Sequence, residues 1–386
     1  MRSCEVCNSN LKNEHHHQSF VSPGIEAELY YKVVSCGNCG FTYADDVPCQ
    51  KVLNLYYESV DHHIHSKELP RGLMDIHADF FEFIKNNIPE LKSTRVLDVG
   101  SSMGHFLKHF KDNGVNDILG LEVSLTAKIL AKEQYDISVI PENLECYKPG
   151  NKFNLITLCG VLEHIEALKP AIDKINNLLE FNGHLFVAVP DVENFPSTEL
   201  KEPFLEFALE HINFFSKTSL ENIFISHGFE LVTCKDEYYD FYNNHYILAI
   251  FKKIGSKSEG QTLSIDSGSI SSIKSYVSNS NGLLALINKK INLLYLSQER
   301  LIVWGAGSLS ARLCATTSIR ETNLIGFVDR NEQIQGKSIF GKLIHHPDWI
   351  QGNRDCTILV VSSVYASSIK LELLNEYSWK GKIVFI

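Results

Sequence analysis

No apolar run in the 386 residues approaches the roughly 20 that a membrane-crossing helix needs, so no membrane partner is expected. The opening MRSCEVCNSN has no apolar leader core, and a cytoplasmic location is the expectation. Positive charge is short as well: 36 Lys and Arg stand against 46 Asp and Glu, a formal net charge of −10. A nucleic-acid platform needs a basic face that displaces counterions, so no nucleic-acid partner is expected either. The remainder is ordinary for folded protein, with 44% hydrophobic and 21% charged residues. The length exceeds one ordinary core, which predicts two or three domains.

The chain has ten cysteines. In a reducing compartment they need a use other than disulfides. Four form two pairs, Cys4-x-x-Cys7 and Cys36-x-x-Cys39. Each pair reads as a turn that points two thiolates at one ion, and four sulfurs suit tetrahedral Zn2+. Four Cys ligands leave no open position, so the zinc is expected to be structural. The stretch ELYYKVVSCGNCGFTYAD reads as a short hairpin around the second pair. His15, His16 and His17 are rival ligands by type, but their run reads as a solvated polar loop, and His62, His63 and His65 read as surface.

RVLDVGSSMGHF, residues 95–106, reads as a buried parallel strand, a small-residue loop and a helix start. Phe106, Leu107 and Phe110 recur at helical spacing, and Gly114 marks a stop. ILGLEVS is a second strand, and its Glu122 lies about twenty residues past the first Gly, where an acid takes ribose hydroxyls. The loop reads Asp98-x-Gly100-x-Ser102-x-Gly104, which departs from the G-x-G-x-x-G of dinucleotide sites. A carboxylate at Asp98 repels a pyrophosphate but attracts an ammonium. S-adenosylmethionine carries an ammonium, a sulfonium and a ribose and no phosphate, so the loop suits it better than NAD.

ISVI is a third strand with Glu142 just after it, KFNLITLCGVLEHI a fourth running into a loop and helix, and GHLFVAVPD a fifth. Repeated strand-loop-helix order predicts a doubly wound α/β sheet. On these motifs, residues 73–253 resemble class I S-adenosylmethionine-dependent methyltransferases. The resemblance implies that the Asp98–Gly104 loop holds the methionine end, that Glu122 holds the ribose, and that Glu142, Cys159 and Gly160 border the cofactor.

A second Gly-rich turn stands in RLIVWGAGSLSARLCATTS, with Gly305-x-Gly307 and then Ser310 at the place of a third Gly. NLIGFVDRN follows and ends at Asp329, a candidate ribose acid. This predicts a second, smaller Rossmann-like unit, either a nucleotide or nucleotide-sugar pocket or a lobe without ligand. The Ser-, Gly- and Lys-rich stretch before it reads as linker. The expected organisation is a zinc module over 1–55, a methyltransferase domain over 56–255, a linker over 256–282 and a Rossmann-like domain over 283–386, whose first part is an apolar helix at about 283–296.

This three-part order resembles the sugar C-methyltransferase family, which acts on nucleotide-linked 4-keto-deoxysugars. The resemblance implies deprotonation of a carbon beside a ketone, for which His is the natural base. Glu210 and His211 in LEFALEHINFFS match the Glu-His of the family's Tyr-x-Glu-His pattern, while Ala208 holds the place of its Tyr. The family's later His-Gly-Gly-Ser stretch is replaced here by FYNNHYILAIF. Glu163–His164 in GVLEHI, at the carboxyl edge of the fourth strand, is a second candidate pair. The expected catalytic residues are therefore His211, Glu210 and His164. O-methylation of a sugar or other small-molecule hydroxyl is the alternative, and a binding protein that kept the fold without catalysis is a third reading. The Asn-Pro-Pro-Tyr type signature of amino methylation is missing after the fourth strand, where the chain reads CGVLEH.

Overall fold

A computed structural model of the chain describes residues 2–25, 27–48, 69–255 and 262–386. His62, His63 and His65 and the expected boundary at 55/56 lie outside the described residues. At the front, β1 (Lys12–Phe20), β2 (Leu29–Cys36) and β3 (Thr42–Asp45) form an antiparallel sheet. The expected hairpin is β2–β3, with the second Cys pair at its turn. The histidine run lies in β1 rather than in a polar loop. Pairing along β2 holds it extended, His15 shares a hydrogen bond with Ser35 Oγ at 2.8 Å, and His16 stacks on Phe204 with ring centroids 4.0 Å apart.

The middle of the chain alternates strand and helix. Its elements are α1 (Arg71–Asn87), β4 (Val96–Val99), α2 (His105–Asp112), β5 (Ile118–Leu121), α3 (Leu125–Tyr135), β6 (Val139–Ile140), β7 (Phe153–Cys159), α4 (Leu168–Leu178) and β8 (Leu179–Pro190). They continue with β9 (Asn213–Phe214), α5 (Lys217–Ile225), β10 (Phe229–Tyr239) and β11 (Asn244–Lys253). Seven strands form one sheet in the order β10-β11-β8-β7-β4-β5-β6, parallel from β8 to β6 and antiparallel at β10 and β11. All four residues of β4 are buried, which is why it reads as an unbroken apolar run. The order reverses between β4 and β7, so a crevice opens beyond their carboxyl ends. The helix expected straight after β7 begins only at Leu168; Leu162–His164 is a single 3-10 turn. Backbone and side-chain bonds from residues 212 and 213 hold that turn, as described below.

β9 belongs to neither neighbour in sequence. It pairs with β3 and completes the front sheet in the order β1-β2-β3-β9. The front sheet and the methyltransferase-like core are therefore joined through a strand.

The stretch expected as linker over 256–282 is helical from residue 267. Ser267–Ser297 forms one helix, α6, of 31 residues, and the apolar helix expected at 283–296 is its second half. Its serines mislead because their composition suggests solvent, yet several are buried and bonded. Ser272 Oγ donates to the Val192 carbonyl at 2.5 Å, and Ser280 Oγ accepts from the Phe204 amide at 3.1 Å. Ile273 and Tyr276 pack with the front sheet. Ile287, Ile291 and Leu294 pack into the C-terminal core. The helix start is fixed by Asp266, whose side chain accepts from the Ser269 amide at 3.0 Å.

The C-terminal unit comprises β12 (Leu301–Trp304), α7 (Ser308–Thr316), β13 (Leu324–Val328), β14 (Ser338–Ile339), β15 (Lys342–His345), β16 (Thr357–Val360), α8 (Ala366–Asn375) and β17 (Ile383–Phe385). Its sheet runs β14-β15-β13-β12-β16-β17, parallel except for the β14–β15 hairpin. The expected strand and loop positions are all present. No helix among the described residues is long and apolar enough to cross a membrane.

Candidate active site

The β4–α2 loop turns sharply through Gly100 (φ +72°), Ser102 (φ +46°) and Gly104 (φ +78°). Gly100 is demanded twice, by its left-handed φ and by space, since a Cβ there would meet Val161 Cγ2 at 2.6 Å. Asp98 lies near the end of β4 inside the protein and accepts a hydrogen bond from Thr157 Oγ1 at 2.6 Å. Burial, with the Glu122 charge adding, pushes its carboxyl up to about 7 against the pull of Thr157. Glu122, just past β5, accepts from the Ser102 amide at 3.1 Å and the Ser124 amide at 3.1 Å. The two expected acids thus meet on one loop. Each carboxylate oxygen keeps a further acceptor site.

Cys159 ends β7 beside β4, where Val99 and Leu158 are paired, and Gly160 follows it. Gly160 takes φ +65°, and its amide donates to the Ala188 carbonyl at 2.9 Å. Burial pushes the Cys159 thiol well above its usual value, so this group is a neutral wall. Glu142 is exposed beyond the end of β6, at the far rim of the same edge.

The crevice fits an ammonium-bearing donor on its own observations. Asp98 is a buried acid with no cationic partner among the described residues, and a cation beside it would restore its ionised form. Ser101 Oγ and His105 Nε2, both next to the loop, are buried without a hydrogen-bond partner among the described residues. The sign of the pH dependence follows. Free protein holds a proton on Asp98 below about pH 7, and a bound ammonium drives that proton off. Donor affinity should therefore fall by roughly tenfold between pH 7.5 and 6, and Asp98→Asn should remove that slope in calorimetry. A slope unchanged in the variant would place the titrating group elsewhere. Glu122→Ala should weaken donor binding by roughly ten- to a hundredfold, because it frees the loop amides as well as the ribose acceptor. An unchanged Kd would sink the ribose role.

The second cluster is assembled from two Glu-His pairs. The Asn213 amide side chain donates to the carbonyls of Leu162 at 3.1 Å and Ile165 at 2.7 Å, and the Ile212 amide donates to the Glu163 carbonyl at 2.9 Å. This clamp brings His164 and His211 together, ring centroids 5.0 Å apart and nearly edge-on. His164 Nδ1 donates to the Glu210 carbonyl at 2.9 Å. Burial, with His164 adding, lowers the His211 imidazole to about 4, so it is uncharged at neutral pH. Glu163 Oε2 and Glu210 Oε2 are buried with no hydrogen-bond partner among the described residues.

Sequence reasoning missed Thr157, Asn213, Glu206 and two tyrosines. Glu206 is buried, accepts from Asn244 Nδ2 at 2.7 Å, and is pushed up to about 8 by burial. Tyr242 and Tyr246, from the FYNNHYILAIF stretch, have phenols raised by burial, with the Glu163 charge adding. Their position near Glu163 carried no sequence signal. Asn213 had one faint mark, its place directly between a Glu-His pair and an aromatic pair.

The four cysteines also come together. Cys4 Sγ lies 3.6 Å from Cys39 Sγ and Cys7 Sγ 3.4 Å from Cys36 Sγ, with all four sulfurs within 4.8 Å of one another. Sulfurs around a tetrahedral zinc at about 2.3 Å stand about 3.8 Å apart, so the cage is compatible with zinc. Gly40 closes the second turn at φ +84°, and a Cβ there would meet the Asp266 carbonyl oxygen at 2.3 Å.

In the C-terminal unit the β12–α7 loop carries Gly305 at φ +108°. Asp329 accepts from the Ala306 amide at 2.8 Å and the Asn331 amide at 2.9 Å. Ser310, at the place of a third Gly, turns inward and donates to the Gly305 carbonyl at 2.5 Å. A cavity of about 910 Å³ opens there, lined by Gly305, Gly307, Asp329, Tyr365 and Glu202. Glu202 comes from the segment that leads to Glu210. It pairs with the buried Arg312 at 2.5 Å and accepts from Ser363 Oγ at 2.5 Å.

Residues 65–234 match a family model described as a methyltransferase domain. Residues 297–384 match one described as C2185-like, N-terminal. The chain matches no curated protein sequence. Among solved structures it is similar to magnesium protoporphyrin IX methyltransferase (ChlM) from Synechocystis PCC 6803 with bound SAM, at 12% identity and TM-score 0.40 over 53% of this chain and 96% of that one. It is similar to the N-methyltransferase NodS from Bradyrhizobium japonicum WM9 in complex with S-adenosyl-l-homocysteine, at 14% identity and TM-score 0.41 over 52% and 98%. It is also similar to an S-adenosylmethionine dependent methyltransferase from Mesorhizobium loti, at 14% identity and TM-score 0.39 over 47% and 100%. The matched methyltransferase domain spans the β4–α2 loop and both Glu-His pairs, so this part of the chain is a methyltransferase domain.

Proposed function

We propose that the enzyme methylates a nucleotide-linked 4-keto-deoxysugar at the carbon beside the ketone. The observation that carries this reading is the convergence of Glu163, His164, Glu210 and His211 at the carboxyl edge of β7, next to the donor loop. A carbon beside a ketone yields its proton only where a base takes it and a partner steadies the oxygen. In this reading the Glu210–His211 pair takes the proton and His164 faces the oxygen. S-adenosylmethionine, when bound, supplies a methyl group on a positively charged sulfur and departs as a neutral thioether. Asp98 receives its ammonium and Glu122 its ribose, while Gly100, Ser102 and Gly104 bring the backbone close. Glu142, Cys159 and Gly160 border it. The C–H bond breaks toward the pair, the electron pair left on carbon forms the new C–CH3 bond, and one proton is released per methyl moved.

The C-terminal cavity supports the nucleotide part of the reading. A Rossmann-like unit there offers Asp329 to a ribose, and Glu202 connects the cavity wall to the segment bearing Glu210 and His211. The four-Cys cage holds a structural zinc in the same proposal. The enzyme acts in the cytoplasm.

Methylation of a hydroxyl oxygen is a second reading, favoured by one observation. Ala208 stands where the resembled family has Tyr, and its carbonyl is occupied by Tyr31 Oη–H at 3.0 Å. Product mass spectrometry with a panel of nucleotide-linked keto sugars in heavy water separates the two. Deuterium at the methylated carbon or its neighbour supports enolate chemistry. A methyl ether without exchange overturns it.

A further inference from the structure

We propose that Glu163, His164 and His211 bind a divalent transition-metal cation, a second metal centre apart from the four cysteines. One ligand-type atom from each residue lies within 4.8 Å of the others. Nitrogen and oxygen ligands around such a cation at about 2.1 Å stand about 3.4 Å apart in a tetrahedral site, so small side-chain rotations close the set.

The orientation of the two imidazoles points the same way. A carbonyl oxygen only accepts, so His164 carries its proton on Nδ1, where it faces the Glu210 carbonyl. That leaves the Nε2 lone pair free. The His211 ring packs nearly edge-on against the His164 ring, with centroids 5.0 Å apart. A backbone carbonyl behind the His164 ring is the arrangement that orients metal-bound histidine. In the same cluster stands Glu163, 2% exposed, whose Oε2 has no hydrogen-bond partner among the described residues. A buried carboxylate oxygen left without a partner is costly, and a cation at this point satisfies it.

Two imidazoles and one carboxylate suit zinc, iron or manganese rather than the all-oxygen set that magnesium prefers. Three protein ligands also leave open positions, unlike the closed cage of four sulfurs. The consequence for the reaction rests on the acceptor reading above. The acceptor oxygen takes an open position, the cation steadies it as an oxyanion, and Glu210, with its unpartnered Oε2, is the member of the pair that takes the proton.

The test needs neither donor nor acceptor, so it stands apart from that reading. Full-length protein is dialysed against Zn2+, freed of excess metal, and its zinc content is measured by atomic emission. Wild type should hold two equivalents. Glu163→Gln and His164→Ala should each hold one, with the melting temperature of the remaining zinc-bound fold reported alongside. Co2+ gives a second readout: wild type should show visible bands for two sites, and the variants should retain only the visible bands of the four-sulfur site, with its sulfur-to-metal bands near the ultraviolet. One equivalent in wild type overturns the proposal. So does a second equivalent that survives both substitutions. If the second equivalent is present but no keto sugar is methylated, the cation site stands and the acceptor reading falls.

Discussion

His211→Ala should cut turnover by roughly a hundredfold or more, with donor affinity close to wild type. The imidazole stands 5.0 Å from His164, centroid to centroid, while the proposed donor site is the β4–α2 loop with Glu122, which bonds the Ser102 and Ser124 amides. Loss therefore falls on the acceptor side, which binding calorimetry and steady-state kinetics can separate. A drop in turnover with an unchanged Kd for S-adenosylmethionine is the expected result. The substitution removes a buried ring, so misfolding is a rival cause. His211→Gln, which keeps much of the volume and a polar tip, serves as the control and should be similarly impaired. Wild-type turnover in either variant would shift the role to His164 and Glu210.

Cys36→Ser should release the zinc of the front cage and disable methyl transfer together. A structural zinc contributes on the order of 10 kcal/mol to the fold around it. Here that fold is shared. Cys36 ends β2, β2 pairs with β3, and β3 pairs with β9, the strand that directly follows His211. The second cysteine turn also carries the start of α6, since the Asp266 amide donates to the Cys39 carbonyl at 2.8 Å. Losing the cage should thus loosen the Asn213 clamp on Leu162 and Ile165. Zinc content, melting temperature and turnover measured on one preparation should fall together. Full activity in a zinc-free variant would uncouple cage and site, and a wild-type protein that holds no zinc would end the structural-zinc reading.

Much of the proposed donor site is legible before any coordinates, because it is local. Asp98, Gly100, Ser102 and Gly104 lie within one turn of chain, and Glu122 is one strand-helix-strand unit away. The acid-loop-acid pattern carries its own chemistry. The proposed acceptor cluster is less legible. Each Glu-His pair is visible alone, but nothing within LCGVLEHI or LEFALEHI states that they face one another. Asn213 and Ile212 decide that, through bonds to carbonyls some fifty residues earlier. Composition actively misleads at residues 267–282, where serines suggest solvent. Their hydroxyls instead satisfy backbone groups at Val192 and Phe204, which no count of residue types can foresee.

The amino-acid sequence by itself determined the repeating strand-loop-helix order, the two glycine turns, the two cysteine turns and the negative overall charge. Each depends on neighbours a few residues away, through helical or strand periodicity and the φ that glycine permits. Only the tertiary structure decided that β9 crosses to the front sheet, that α6 is one helix spanning two cores, that Glu202 reaches the buried Arg312, and that Glu163, His164 and His211 share one small volume. Those contacts join segments tens to hundreds of residues apart. They form because buried polar groups must find partners wherever the packed chain presents them.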